Sequence, residues 1–146
     1  MCLNNNDIFS SICEPISEKE ARLYSPLTLA FLGDAVYSLL VRNMLSLTTD
    51  KPTGKLHKES INFVNAAFQA EMIKELLPLL TEDETAVFKR GRNAHSSHSP
   101  KNQSGADYRY ATGLEALYGY LYLCGNTDRI KEIFQLSTYK KYTENK

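Results

Sequence analysis

Apolar positions recur at helical spacing along nearly the whole chain. From residue 27 to about 47 the run is long and apolar on most sides, which predicts a central, buried helix. Pro26 precedes it, at a place where a helix loses nothing by a missing N–H. Residues 48–52, with Asp50 and Pro52, break the pattern. Leu56, Ser60, Phe63, Val64, Ala67, Phe68 and Met72 then share one face, predicting a single amphipathic helix that Pro78 ends or kinks. Thr81 with Glu84 forms a capping box and opens a helix to about Arg92. Residues 94–107 are rich in Ser, Asn, His and Gly and read as a loop. A second mostly apolar helix covers residues 108–124, closed by Gly125. Asn126 or Thr127 caps a last short helix through Leu136. No stretch alternates like a strand, and no repeat or linker divides the chain. The pattern predicts an all-α helical bundle, one domain over residues 1–146, with residues 1–20 as a candidate flexible N-terminal arm.

Composition narrows this little. The 146 residues suffice for one domain with a core of useful size. Lys plus Arg is 17 and Asp plus Glu is 17, so bulk charge does not mark a coat for nucleic acid, although a local basic patch is compatible with zero balance. Cys2, Cys13 and Cys124 are odd in number and widely spaced, which favours reduced thiols in a cytoplasmic protein over a disulfide framework or a zinc site. The N-terminus lacks the basic and apolar regions of a signal peptide. No apolar run is long enough for a membrane span.

Candidate chemistry lies where two apolar helices carry acids beside small residues. Asp34 is flanked by Gly33 and Ala35. Glu115 precedes Ala116, with Ala111, Gly113 and Gly119 nearby. Glycine inside a helix costs about 1 kcal/mol relative to alanine, so these positions need a reason, and close helix approach is one. Such approach would join Asp34 and Glu115 in one cleft. Two weakly solvated carboxylates repel, so one protonates or a cation sits between them. Hard oxygen donors suit Mg²⁺, which keeps several waters and takes phosphate oxygens as further ligands. A lone acid in an apolar helix is more commonly a solvated or salt-bridged residue. Here Lys89, Arg90, Arg92, Lys101 and Arg109 cluster just before the second helix, opposed by Asp107 alone and interleaved with Asn93, Asn102, His95 and His98. Groups of this kind contact phosphate oxygens. The three histidines, His57 included, have no zinc spacing, and no acyl-transfer triad or glycine-rich phosphate loop is present.

LAFLGDAVYSLLVR (29–42), RGRNAHSSH (90–98) and YRYATGLEALYGYLYL (108–123) together resemble the ribonuclease III family, most closely its short bacterial Mini-ribonuclease III branch. The likeness runs from about Leu23 to the last helix. It implies a ribonuclease III-like catalytic domain working as a homodimer, with Mg²⁺ at each active centre and double-stranded RNA across the dimer. The implied reaction is endonucleolytic hydrolysis giving 5′-phosphates. The implied substrate is the 23S ribosomal RNA precursor, and the implied compartment is the cytoplasm. The branch lacks a separate double-stranded-RNA-binding domain, for which 146 residues leave no room.

Carried over by position, Asp34 and Glu115 are the catalytic, metal-binding acids. Two further acids of the larger relatives fall on Ala30 and Thr112, a reduction expected of the short branch. The resemblance also sharpens the other expectations. Arg90, Arg92, Asn93, Lys101 and Asn102 are expected to hold the RNA backbone. Leu29, Phe31, Leu32 and Val36 are expected at the dimer interface, because the first helix is too apolar all round for one subunit to cover. The missing acids at Ala30 and Thr112 invite an alternative, a non-catalytic domain that binds structured RNA during ribosome assembly.

Overall fold

The computed structural model describes residues 14–94 and 105–145. Among these, α1 covers Glu18–Arg22, α2 Pro26–Thr48, α3 Thr53–Val64, α4 Ala66–Leu76, α5 Glu82–Asn93, α6 Gly105–Leu123, α7 Thr127–Phe134 and α8 Lys140–Glu144. A 3₁₀ turn, Leu77–Leu79, follows α4, and a π-helical segment, Gln135–Tyr139, joins α7 to α8. No strand occurs among the described residues, so the all-α expectation holds.

Local chemistry sets most boundaries. Pro26 stands in the first turn of α2. At α5 the Thr81 hydroxyl accepts from the Glu84 N–H at 3.1 Å, while Glu84 Oε1 accepts from the Thr81 N–H at 2.9 Å. Gly125 has φ +68°, the left-handed conformation that ends helices at glycine. Asn126 then caps α7 by accepting from the Arg129 N–H.

Three expected elements differ. The single helix expected across residues 56–72 is two, divided at Asn65. The Asn65 amide nitrogen donates to the carbonyls of Ile61 and Asn62 at 3.0 and 3.1 Å, satisfying the end of α3. Its oxygen accepts from the Phe68 N–H at 2.9 Å and opens α4. One side chain serves both helix ends, so the chain turns without losing its backbone bonds. The expected loop over 94–107 gives way to helix by Gly105. The last helix does not finish at Leu136; the chain continues through the π segment into α8.

The core forms around α6, which packs against α2, α4 and α5. Residues 116–121 of α6 are all buried. The inward face of α2 consists of Leu29, Ala30, Gly33, Tyr37, Val41, Met44 and Leu45. The opposite face is open, so α2 is not buried all round: Leu27, Phe31, Asp34 and Leu39 are exposed. Fully burying a leucine or isoleucine contributes about 1.5–3 kcal/mol, and Leu114, Leu117, Ile73 and Ile133 all do so. A partly buried charge pair ties α7 to α5. Arg129 of α7 donates to both oxygens of Glu84 at 2.8 Å and to the Leu79 carbonyl at 3.0 Å.

The α2–α6 crossing is a backbone contact. A methyl group on Gly33 would overlap the carbonyl oxygen of Glu115, and one on Gly119 would overlap the carbonyl oxygen of Leu29. Gly113 makes a third close approach, against the Phe88 ring of α5. Helix glycines at these positions trade propensity for proximity. Gly33→Ala is expected to destabilise the protein by at least about 3 kcal/mol, because the obstructing atoms are backbone and cannot rotate away. Urea denaturation of the variant beside the wild type measures this.

Candidate active site

The glycine crossing fixes where the two acids sit. Gly33 lies on the backbone of Glu115, so Asp34, the next residue, enters at the same level of the bundle. Asp34 is exposed on the open face of α2, and Glu115 is half-buried on α6. Burial pushes the Glu115 carboxyl up to about 7, and the neighbouring Asp34 charge adds to the shift. No ion pair with Lys or Arg among the described residues neutralises either acid. Asp34 and Glu115 therefore come together as expected, one wet and one largely dry.

Beneath them lies a tyrosine anchor. Tyr37, one turn beyond Asp34, is fully buried; its hydroxyl donates to the Phe63 carbonyl at 2.7 Å and lies 3.1 Å from the Thr138 hydroxyl. Burial holds the phenol well above its ordinary value, and the Glu115 charge adds to this. Tyr37 is thus a neutral hydrogen-bonding post under the acids.

The two positions from which the resemblance implies acids have been lost offer the site no carboxylate. Ala30 is buried and has no oxygen donor on its side chain. The Thr112 hydroxyl donates to the Tyr108 carbonyl at 2.9 Å. No cluster of three or more His, Cys, Asp or Glu occurs among the described residues. A cation held by Asp34 and Glu115 would keep most of its ligands as water or phosphate, which suits Mg²⁺ better than a metal demanding a full protein cage. Two hard oxygen donors, one of them destabilised in its charged form, fit that ion.

The basic segment resolves into separate roles. Arg90 donates to the carbonyls of Arg22 and Tyr24 at 2.6 and 3.1 Å, capping the end of α1. The guanidinium therefore has a structural task in addition to the charge it places on this face. Arg92 stacks over the Phe88 and Tyr110 rings, 5.6 and 6.0 Å from their centroids, and donates to Asn93 Oδ1 at 3.1 Å. Arg92, Asn93, Arg109 and Tyr110 line a pocket of about 460 Å³. Lys74 of α4 adds its ammonium 5.0 Å from the Tyr110 centroid. Arg109 belongs to the basic cluster legible in the sequence, whereas Lys74 carries no local signal because it stands on a neighbouring helix. Lys101, Asn102, His95 and His98 lie outside the described residues.

The expected interface set also divides. Leu29 is 1% exposed and faces its own core, so it offers a partner almost no accessible area. Phe31 is 84% exposed, while Leu32 and Val36 are half-buried. Sequence reasoning also missed Gln69, which is 2% exposed and acts on Glu115 from α4. Its signal was a carboxamide at a position where the helical period calls for an apolar residue, beside Ala66, Ala70 and Ile73.

Residues 27–126, which include both crossing helices and both acids, match the Ribonuclease III domain family. A protein of Thermoanaerobacter sp. (strain X514) named Mini-ribonuclease 3 is 50% identical over 113 residues, covering 77% of this chain and 80% of that one. Its namesake in Clostridium tetani (strain Massachusetts / E88) is 42% identical over 135 residues, covering 90% and 89%. A crystal structure of a Fusobacterium nucleatum protein superposes with a TM-score of 0.72 at 33% identity, over 80% of this chain and 93% of that one. The chain belongs to the Mini-ribonuclease 3 branch of the ribonuclease III family, and it is an endoribonuclease. That family acts on double-stranded RNA and is generally dependent on divalent metal.

The Glu115 shift has a measurable consequence in metal-free protein. A carboxyl raised on folding contributes stability that is complete below its ordinary value near 4.5 and is lost as pH rises through about 7. In EDTA, Glu115→Gln is expected to unfold at a higher temperature than wild type at pH 8, with the gap closing by pH 5. Thermal unfolding at both pH values checks the sign.

Proposed function

We propose that this protein is a Mg²⁺-dependent, double-strand-specific endoribonuclease of the cytoplasm that matures the ends of the 23S ribosomal RNA precursor. The observation that carries the metal assignment is the juxtaposition of Asp34 with the half-buried Glu115 at the glycine crossing. Support for the ribosomal substrate comes from likeness to the short branch of the family.

Asp34 and Glu115 would hold the ion from two helices whose separation Gly33 and Gly119 fix. When bound, Mg²⁺ supplies a lowered pKa for the attacking water and stabilisation of charge on the phosphate. Asp34, on the exposed side, faces the direction from which the RNA backbone arrives. Glu115, half-buried, would meet the ion from the side of the core. Arg92 and Asn93 offer donors to phosphates beside the site, with Lys101 and Asn102 as further candidates on the following segment. Arg109 and Lys74 extend that surface. Arg90 contributes charge there while its hydrogen bonds anchor α1. A-form RNA presents phosphates and 2′-hydroxyls to such contacts, so recognition reads shape before sequence.

The enzyme works as a homodimer in this reading, with Phe31 as the apolar anchor and Leu32 and Val36 beside it. Phe31 and Asp34 share the exposed face of α2, so a partner covering Phe31 would border the metal-binding carboxylate. The non-catalytic alternative draws on Ala30 and Thr112, where acids are missing; retention of both Asp34 and Glu115 favours catalysis.

End-labelled paired RNA, including a 23S precursor stem, tests the reaction. Cuts on both strands are expected with Mg²⁺, none with EDTA, and none from Asp34→Asn. Arg92→Ala is expected to weaken RNA binding and flatten its salt dependence. Binding without cuts, across Mg²⁺ and Mn²⁺, would replace the nuclease with the binding module. For the dimer, light scattering at micromolar concentration should give twice the monomer mass, and Phe31→Arg should halve it; a wild-type monomer defeats the proposal.

A further inference from the structure

Gln69 is the one polar residue among those buried on α4, which otherwise contributes Ala66, Ala70, Met72, Ile73 and Leu76 to the interior. It is 2% exposed, and its Nε2 donates to no protein atom at hydrogen-bonding distance. An amide N–H buried without an acceptor is unfavourable, and an apolar side chain of the same length would pack there without that penalty. The position therefore asks for a function.

Its neighbour across the α4–α6 contact is Glu115. The amide faces that carboxyl closely enough to favour its charged form, but at a geometry that falls short of a well-formed hydrogen bond. The nearby groups that could share the task are committed elsewhere. The Thr112 hydroxyl is bound to the Tyr108 carbonyl, the Tyr37 hydroxyl to Phe63, and Ala30 has nothing to offer. A neutral donor also suits the place chemically. A lysine or arginine would form an ion pair with Glu115 and displace a metal ion, and another acid would add to the repulsion. A carboxamide can orient a carboxylate without changing the charge of the site.

We propose that Gln69 is a positioning residue for Glu115: its buried Nε2 donates to the carboxylate when a divalent cation is held, fixing how that ligand is presented. The inference rests on the metal-ligand role of Glu115 given above. Outer partners of this kind orient metal-binding carboxylates, and their loss weakens metal binding by about ten- to a hundredfold in characterised sites.

The test uses Gln69→Leu and Gln69→Met, which keep volume and remove the donor, beside wild type and Asp34→Asn. Free Mn²⁺ is counted by electron paramagnetic resonance with the protein alone, without RNA. Thermal unfolding in EDTA and steady-state cleavage of an RNA duplex complete the set. The expected result is an unfolding temperature equal to or above that of wild type, at least fivefold weaker Mn²⁺ binding, kcat at least tenfold lower and KM for RNA within twofold. A purely structural residue would alter the unfolding temperature and leave Mn²⁺ binding of the folded fraction unchanged. If one variant does not fold, the other decides; failure of both to fold would make Gln69 structural and overturn the proposal. If wild type binds Mn²⁺ and cuts RNA, Asp34→Asn does neither, and both Gln69 variants bind Mn²⁺ like wild type, Gln69 alone loses its role. If wild type itself neither binds Mn²⁺ nor cuts RNA, the nuclease reading falls and this inference falls with it.

Discussion

The contact of backbone on backbone where α2 crosses α6 governs the rest of the structure. Gly33 and Gly119 leave no side chain between the helices, so peptide groups meet directly. Interiors are close-packed, and a crossing this near admits little sliding or rotation. Asp34 and Glu115 inherit their relative placement from it rather than from bonds of their own. The cost is accepted twice: glycine weakens each helix, and the approach forces two acids into one neighbourhood.

That neighbourhood is asymmetric in a useful way. Asp34 meets solvent while Glu115 is turned toward Tyr37 and Gln69. A carboxylate in such surroundings is poorly stabilised by the protein alone, and a divalent cation offers more than any neighbouring group does. The surrounding polar residues are neutral: two hydroxyls committed to backbone carbonyls, and one amide left over. Cationic side chains stand farther out, on α4, α5 and the start of α6, where they can meet phosphates without competing for the acids.

Much of this is legible in the sequence. The capping box at Thr81, the proline entering α2 and the glycine after α6 are local signals, and each marks a boundary that the structure keeps. Asp34 and Glu115 stood out because acids beside glycines interrupt apolar helices. What stayed hidden was non-local. Asn65 breaks a continuous apolar face because its side chain serves two helix ends together, which periodicity does not register. Leu29 and Phe31 look equivalent in an apolar run, yet one faces Gly119 and the other solvent, a distinction set by the crossing. The anchoring task of Arg90 was hidden because its carbonyl partners lie on a distant stretch of chain. Gln69 passed unnoticed because its meaning depends on Glu115 standing opposite.

The π-helical segment gives the C-terminal tail a strict length. Its wider turn accommodates one more residue than an α-helical path would, and it buries Ser137 and Thr138, the latter beneath Tyr37. Beyond it Tyr142 is buried and its hydroxyl meets Thr48 at the far end of α2, at 2.8 Å. Deleting one residue within that turn would rotate everything after it by about 100°, the angle between successive helical residues. Tyr142 would then swing off Thr48, and the helix that carries Asp34 would lose its distal clasp. The exposed positions of residues 135–139 can therefore vary in side chain more readily than the stretch can vary in number.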